Sequence, residues 1–86
     1  EVLIRCRVRV YDDATTFGTA LIEAEYPDGT YIQILRLEHL YTDCDYDREI
    51  VACIPVNSGQ TTFKIKITND QPGTFTEFQI DGVNQF

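Results

Sequence analysis

From Val2 to Tyr11 the chain alternates without a break, with Val2, Ile4, Cys6, Val8 and Val10 set against Leu3, Arg5, Arg7, Arg9 and Tyr11. A helix turns once in about 3.6 residues and would spread these side chains around its circumference, whereas a strand sorts them onto opposite faces. The segment is therefore a strand with one covered face, and a strand needs neighbours to satisfy its backbone. The same period returns in Thr19–Tyr26, where Ala20, Ile22, Ala24 and Tyr26 oppose Glu23 and Glu25. It returns again in Thr61–Thr68, where Phe63, Ile65 and Ile67 oppose Lys64 and Lys66.

Between the second and third strands lies Pro27-Asp28-Gly29, a strong turn signal because proline presets its own φ and glycine accepts a positive one. The return strand, Thr30–Leu37, is apolar on both faces, and so is Arg48–Val56; that pattern predicts central strands. Pro55 marks the end of the latter, since proline cannot donate within a ladder. Asp12–Gly18, Glu38–Asp47, Asn57–Gln60 and Asn69–Gly73 read as connections. Thr74–Ile80 reads as a strand, followed by a tight turn at Asp81-Gly82 and a short last strand ending at Phe86. The expectation is one all-β domain over residues 1–86, an antiparallel β-sandwich of about seven strands, Ig-like or related, with a small barrel as the alternative. Its predicted core is Val2, Ile4, Val8, Val10, Ile22, Ile34, Ile50, Ile54, Phe63, Ile65, Ile67 and Phe78.

In such an antiparallel order, odd-numbered connections share one end. That end collects Asp12, Asp13, Glu38, Asp43, Asp45, Asp47 and Asp70, against Asp28 and Asp81 at the other. Calcium takes six to eight oxygens, so Asp12, Asp13, Asp43, Asp45, Asp47 and Asp70 are the candidate ligands, with calcium the candidate ion. The spacing of Asp43, Asp45 and Asp47 is similar to the opening of an EF-hand loop, but the required glycine is Arg48 and the closing glutamate is Ile54. Thr68-Asn69-Asp70-Gln71-Pro72 resembles the calcium-linker end of a cadherin repeat over those residues alone, without the other cadherin acidic motifs. Mutual repulsion in such a cluster predicts that calcium, or Asp45→Asn, raises the melting temperature. The bland reading is that these carboxylates solvate loops.

Arg5, Arg7 and Arg9 project from one face of the first strand, and Lys64 and Lys66 from one face of the fifth. A basic stripe of this kind suits a sulfated glycan or an acidic protein. The structural alternative pairs the arginines with Glu23 and Glu25 on the next strand. Cys6 and Cys53 both lie in apolar strands, the arrangement of a disulfide pinning two sheets, which leaves Cys44 as a free or interchain thiol; Cys44 with Cys53 is the competing pair.

The net charge of −7 argues against nucleic acid and anionic membranes, and no apolar run approaches the ~20 residues of a membrane span. A single histidine, His39, and a single serine, Ser58, offer no hydrolytic constellation. Zinc spacings and phosphate-cradling glycine loops are missing. Cysteine in a chain that opens on Glu1 and contains no methionine points to a processed product or excised domain outside the cell. The functional expectation is a non-enzymatic secreted or cell-surface module that binds a protein or glycan partner through the acidic loops, with calcium as its optional cofactor. The alternatives are a structural subunit of a processed or disulfide-linked assembly, covalent or non-covalent, and a small secreted inhibitor or toxin component.

Overall fold

The computed structural model describes residues 2–12, 18–41, 43–55 and 62–85, and the side chain of Gln85 is not described. The described chain is all-β, with six strands in chain order: β1 (Val2–Asp12), β2 (Gly18–Glu25), β3 (Tyr31–Leu40), β4 (Cys44–Ile54), β5 (Lys64–Asn69) and β6 (Thr74–Gln85). They form two three-stranded sheets of order β4-β1-β6 and β3-β2-β5, antiparallel throughout. No ladder joins the two sheets among the described residues.

Two of the alternating strands, β1 and β2, are the central ones, while the third, β5, lies at an edge. β1 buries Val2, Ile4, Cys6, Val8 and Val10, and β2 buries Ala20, Ile22 and Ala24. These side chains meet in one cluster with Tyr26, Leu40, Cys44 and Ile54, so both sheets contribute to one core. Of the predicted core, Val2, Ile4, Val8, Val10, Ile22 and Ile54 are buried, while Ile34, Ile50, Phe63, Ile65 and Phe78 pack partly buried around them.

The strands predicted as central from their two apolar faces, β3 and β4, are instead edge strands. In β3 a bulge explains the pattern. Ile22 faces Leu35 and Glu23 faces Gln33, so Ile34 is the extra residue, and the core-facing set changes from Leu37 and Leu35 to Ile32 across it. In β4 the outer apolar residues are simply exposed, Val51 at 65%.

Six strands replace seven because Asp81-Gly82 does not turn. β1 offers a continuous template; β6 stays paired to it from Asp12↔Thr74 to Val2↔Gln85, and Asp81 is absorbed as a bulge between Arg5↔Gly82 and Cys6↔Ile80. The Pro27 turn forms as expected. Gly29 N–H donates to Tyr26 O (2.9 Å), Tyr26 N–H donates to Thr30 O (2.9 Å) and Gly29 has φ 87°, a three-residue hairpin loop closed by a left-handed glycine. The Tyr26 hydroxyl then donates to Pro55 O, tying this hairpin to the end of β4.

Candidate binding surfaces

The predicted long acidic connection shrinks to Tyr41–Asp43, because Asp45 and Asp47 belong to β4. Cys44 and Tyr46 point toward the core and the aspartates point outward, a period-two signal hidden by its polar half. β4 lies beside β1 in the register Tyr11↔Asp45, Arg9↔Asp47, Arg7↔Glu49 and Arg5↔Val51, so each arginine reaches a carboxylate on the diagonal, Arg9 to Asp45, Arg7 to Asp47 and Arg5 to Glu49. Arg7 grips Asp47 with Nε–Oδ1 at 3.1 Å and Nη2–Oδ2 at 3.2 Å; Arg9 grips Asp45 at 3.2 and 3.0 Å in the same two-point geometry. Arg5 Nε stands 3.7 Å from Glu49. The hydrogen bonds from Arg9 and Arg7 hold the Asp45 and Asp47 carboxyls below the usual carboxylate range and keep both guanidiniums firmly charged.

The ladder corrects two expectations. The arginines pair with β4 and not with Glu23 and Glu25, because β2 sits in the other sheet, where those glutamates oppose Lys66 and Lys64. Nor is the stripe an open anion site. The groove beside it is lined by Arg7 and Arg9 together with Asp47 and Glu77, so its charges balance and the forks a sulfated glycan would need are filled.

The common end of the odd connections does exist. Asp43 N–H donates to Asp12 O (2.6 Å), Thr74 Oγ1 to Asp12 Oδ2 (3.2 Å) and Thr19 N–H to Asp70 Oδ1 (2.6 Å). Asp12 is buried there at 1% exposure, and Gly18 approaches so closely that an added Cβ would lie 2.7 Å from Asp12 Oδ2 and collide with Thr74 Oγ1. These carboxylates tie strand ends together. The six candidate calcium ligands are not brought to one point: Asp45 and Asp47 face outward onto arginines, Asp12 faces Thr74, and Asp13 lies outside the described residues. Among the described residues no three His, Cys, Asp or Glu side chains converge on a metal position.

The cysteines are also corrected. No disulfide joins Cys6, Cys44 and Cys53. Cys6 lies opposite Ile50 on the core face, whereas Cys53 is exposed on the outer face of β4 opposite Leu3, so a bridge between them would have to cross the sheet. Burial, followed by the nearby Asp81 charge, pushes the Cys6 thiol up. Burial and then Asp12 do the same for Cys44.

One surface was not foreseen. β5 and β6 are edge strands of different sheets, joined at the Asn69–Thr74 corner, where Thr76 Oγ1 donates to Asn69 Oδ1 (2.8 Å). Beyond that corner Ile67 opposes Ile22, Ile80 opposes Cys6 and Val83 opposes Ile4. Cross-strand partners share a face, so all three lie on the core side, yet they are 39%, 44% and 58% exposed. The core is open along this seam. The opposite seam, between β3 and β4, carries a charge at the equivalent depth: exposed Arg48 opposes buried Val8 and lies over the Tyr46 ring at 5.4 Å, an inward charge of the kind that blocks edge association. The signal in the sequence was the uncharged run of core-side positions in β6, Thr76, Phe78, Ile80 and Val83; which edge it would occupy depended on strand order. No protein family, curated protein or solved structure matches the chain.

Proposed function

We propose that the chain is a non-enzymatic interaction module, built as a two-sheet β-sandwich, that recognises another polypeptide through the β5/β6 seam rather than through acidic loops. The sandwich reading is supported by the core shared between the sheets and by a smallest extent of 14 Å, the thickness of two layers about 10 Å apart. The observation that carries the function is the exposure of Ile67, Ile80 and Val83 on the core side of two adjacent edge strands. Edge strands present unpaired backbone groups, and a partner strand can satisfy them while its alternate side chains cover apolar positions.

The test is a titration of dilute protein with the apolar dye bis-ANS, with Ile80→Lys and Val83→Lys as controls. The expected result is saturable dye fluorescence in the parent and its loss in both variants, with the far-ultraviolet spectrum unchanged. A parent protein that takes up no dye has a closed seam, and the reading fails.

A further inference from the structure

We infer that the occupant of the seam is a second copy of this chain, related by a twofold axis that runs along the seam parallel to the strands. The inference rests on the seam as a binding surface and goes further by naming what fills it.

Strand direction is the first support. β5 runs toward the Asn69–Thr74 corner and β6 runs away from it. Half a turn about an axis parallel to the strands leaves their directions unchanged and exchanges the two layers. It therefore sets β5 of the second copy beside β6 of the first, and β6 beside β5, and both new pairs are antiparallel. Each three-stranded sheet becomes one of six strands, two open edges per copy disappear, and the contact is self-complementary as a closed dimer demands.

Register is the second support. The Thr76–Asn69 contact sets the relative height of the two strands, and a rotation about this axis preserves height. Stepping along the strands then brings Ile67 beside Phe78 and Ile65 beside Ile80 of the other copy, all core-side. Val83 reaches the level of Phe63. Apolar positions meet apolar positions, and the open mouths of two cores close on each other.

Charge is the third support. The outward residues of β5 include Lys64 and Lys66, and those of β6 include Glu77 and Asp81, all exposed. At the same heights Lys64 lies across from the bulge formed by Asp81 and Gly82, Lys66 from Gln79, and Thr68 from Glu77. Lys64 and Lys66 also oppose Glu25 and Glu23 within their own sheet, and Glu77 opposes Arg9, so the new contact extends alternating charge across the joined sheet, once on each outer face. The β3/β4 seam, with Arg48 on its core side, offers no such match.

The experiment is sedimentation velocity from low to high micromolar concentration on the parent, Ile80→Lys, Lys64→Glu, and the exchange Lys64→Glu with Asp81→Lys. The surface variant Lys64→Glu leaves the core untouched, so the test survives a folding failure of Ile80→Lys. A parent dimer is expected, with the dissociation constant raised at least about 100-fold by Ile80→Lys and about 10-fold by Lys64→Glu, the latter recovered in the exchange. A dimer indifferent to these changes uses another surface and overturns the inference. A parent that stays monomeric yet binds bis-ANS also overturns it, while leaving the open seam and its role intact. A monomer that binds no dye removes both.

Discussion

Arg9 and Asp45 lie on the diagonal between β1 and β4, where Arg9 is opposite Asp47 and Asp45 is opposite Tyr11, and they close a two-point fork on the outer face of the sheet, with Nη2–Oδ2 at 3.0 Å. The guanidinium also lies over the Tyr11 ring at 4.8 Å, and Tyr11 stacks on Phe75 with centroids 5.1 Å apart. An aspartate that reads in the sequence as one of a repelling cluster is therefore held by an opposite charge.

This reverses the expected effect of Asp45→Asn. Removal of a carboxylate paired with arginine lowers the melting temperature at neutral pH and low salt, and the loss shrinks as salt is added, because the pair is exposed to solvent. A rise in melting temperature, read by circular dichroism, would mean that repulsion dominates after all.

The same pairs set a pH dependence. The folded pKa values of Asp45 and Asp47 lie below their unfolded values, so the unfolded chain binds protons first as pH falls. Their stabilisation is complete above the ordinary aspartate range, about 4, and is lost as pH drops through the depressed folded values. The difference in melting temperature between the parent and Asp45→Asn/Asp47→Asn should be constant from pH 6 to 7 and vanish in acid; a gap that widens toward acid contradicts the assignment.

Thiol reactivity should follow strand face. Cys53 is exposed whereas Cys6 and Cys44 are buried, so iodoacetamide labelling resolved by peptide mass should modify Cys53 first, and Cys6 only on unfolding. Rapid labelling of Cys6 in the native protein would contradict the register of β1.

Gly18→Ala should destabilise the fold by about 1–3 kcal/mol, the range for overpacking, because the new methyl collides with Thr74 Oγ1 and crowds Asp12. Thr74→Ala in the same background makes room, so the combined loss in urea melts should be smaller than the sum of the separate losses.

Ile4 and Val51 form a contrast that residue type cannot supply. Ile4→Ala at a fully buried position should cost about 2–5 kcal/mol, and Val51→Ala on the outer face no more than about 0.5 kcal/mol. Equal losses would place both residues on covered faces.

The sequence alone determined the all-β class, the inward faces of β1 and β2, the Pro27–Gly29 hairpin and the shared end of Asp12, Asp43 and Asp70. Each follows from local physics: a two-residue period, a preset φ, and the reversal of antiparallel chains. Only the tertiary structure decided which strands are neighbours. Alternation says that one face of a strand is covered but not by what, and backbone ladders form equally well with any partner. Hence Arg7 and Arg9 met Asp47 and Asp45 rather than Glu23 and Glu25, Cys6 and Cys53 fell on opposite faces of one sheet, and Asp81 became a bulge beside a long β1 instead of a turn. The open seam belongs to this second class. Ile67, Ile80 and Val83 have the sequence pattern of core residues, and they are exposed because β5 and β6 are edge strands with no described strand beyond them.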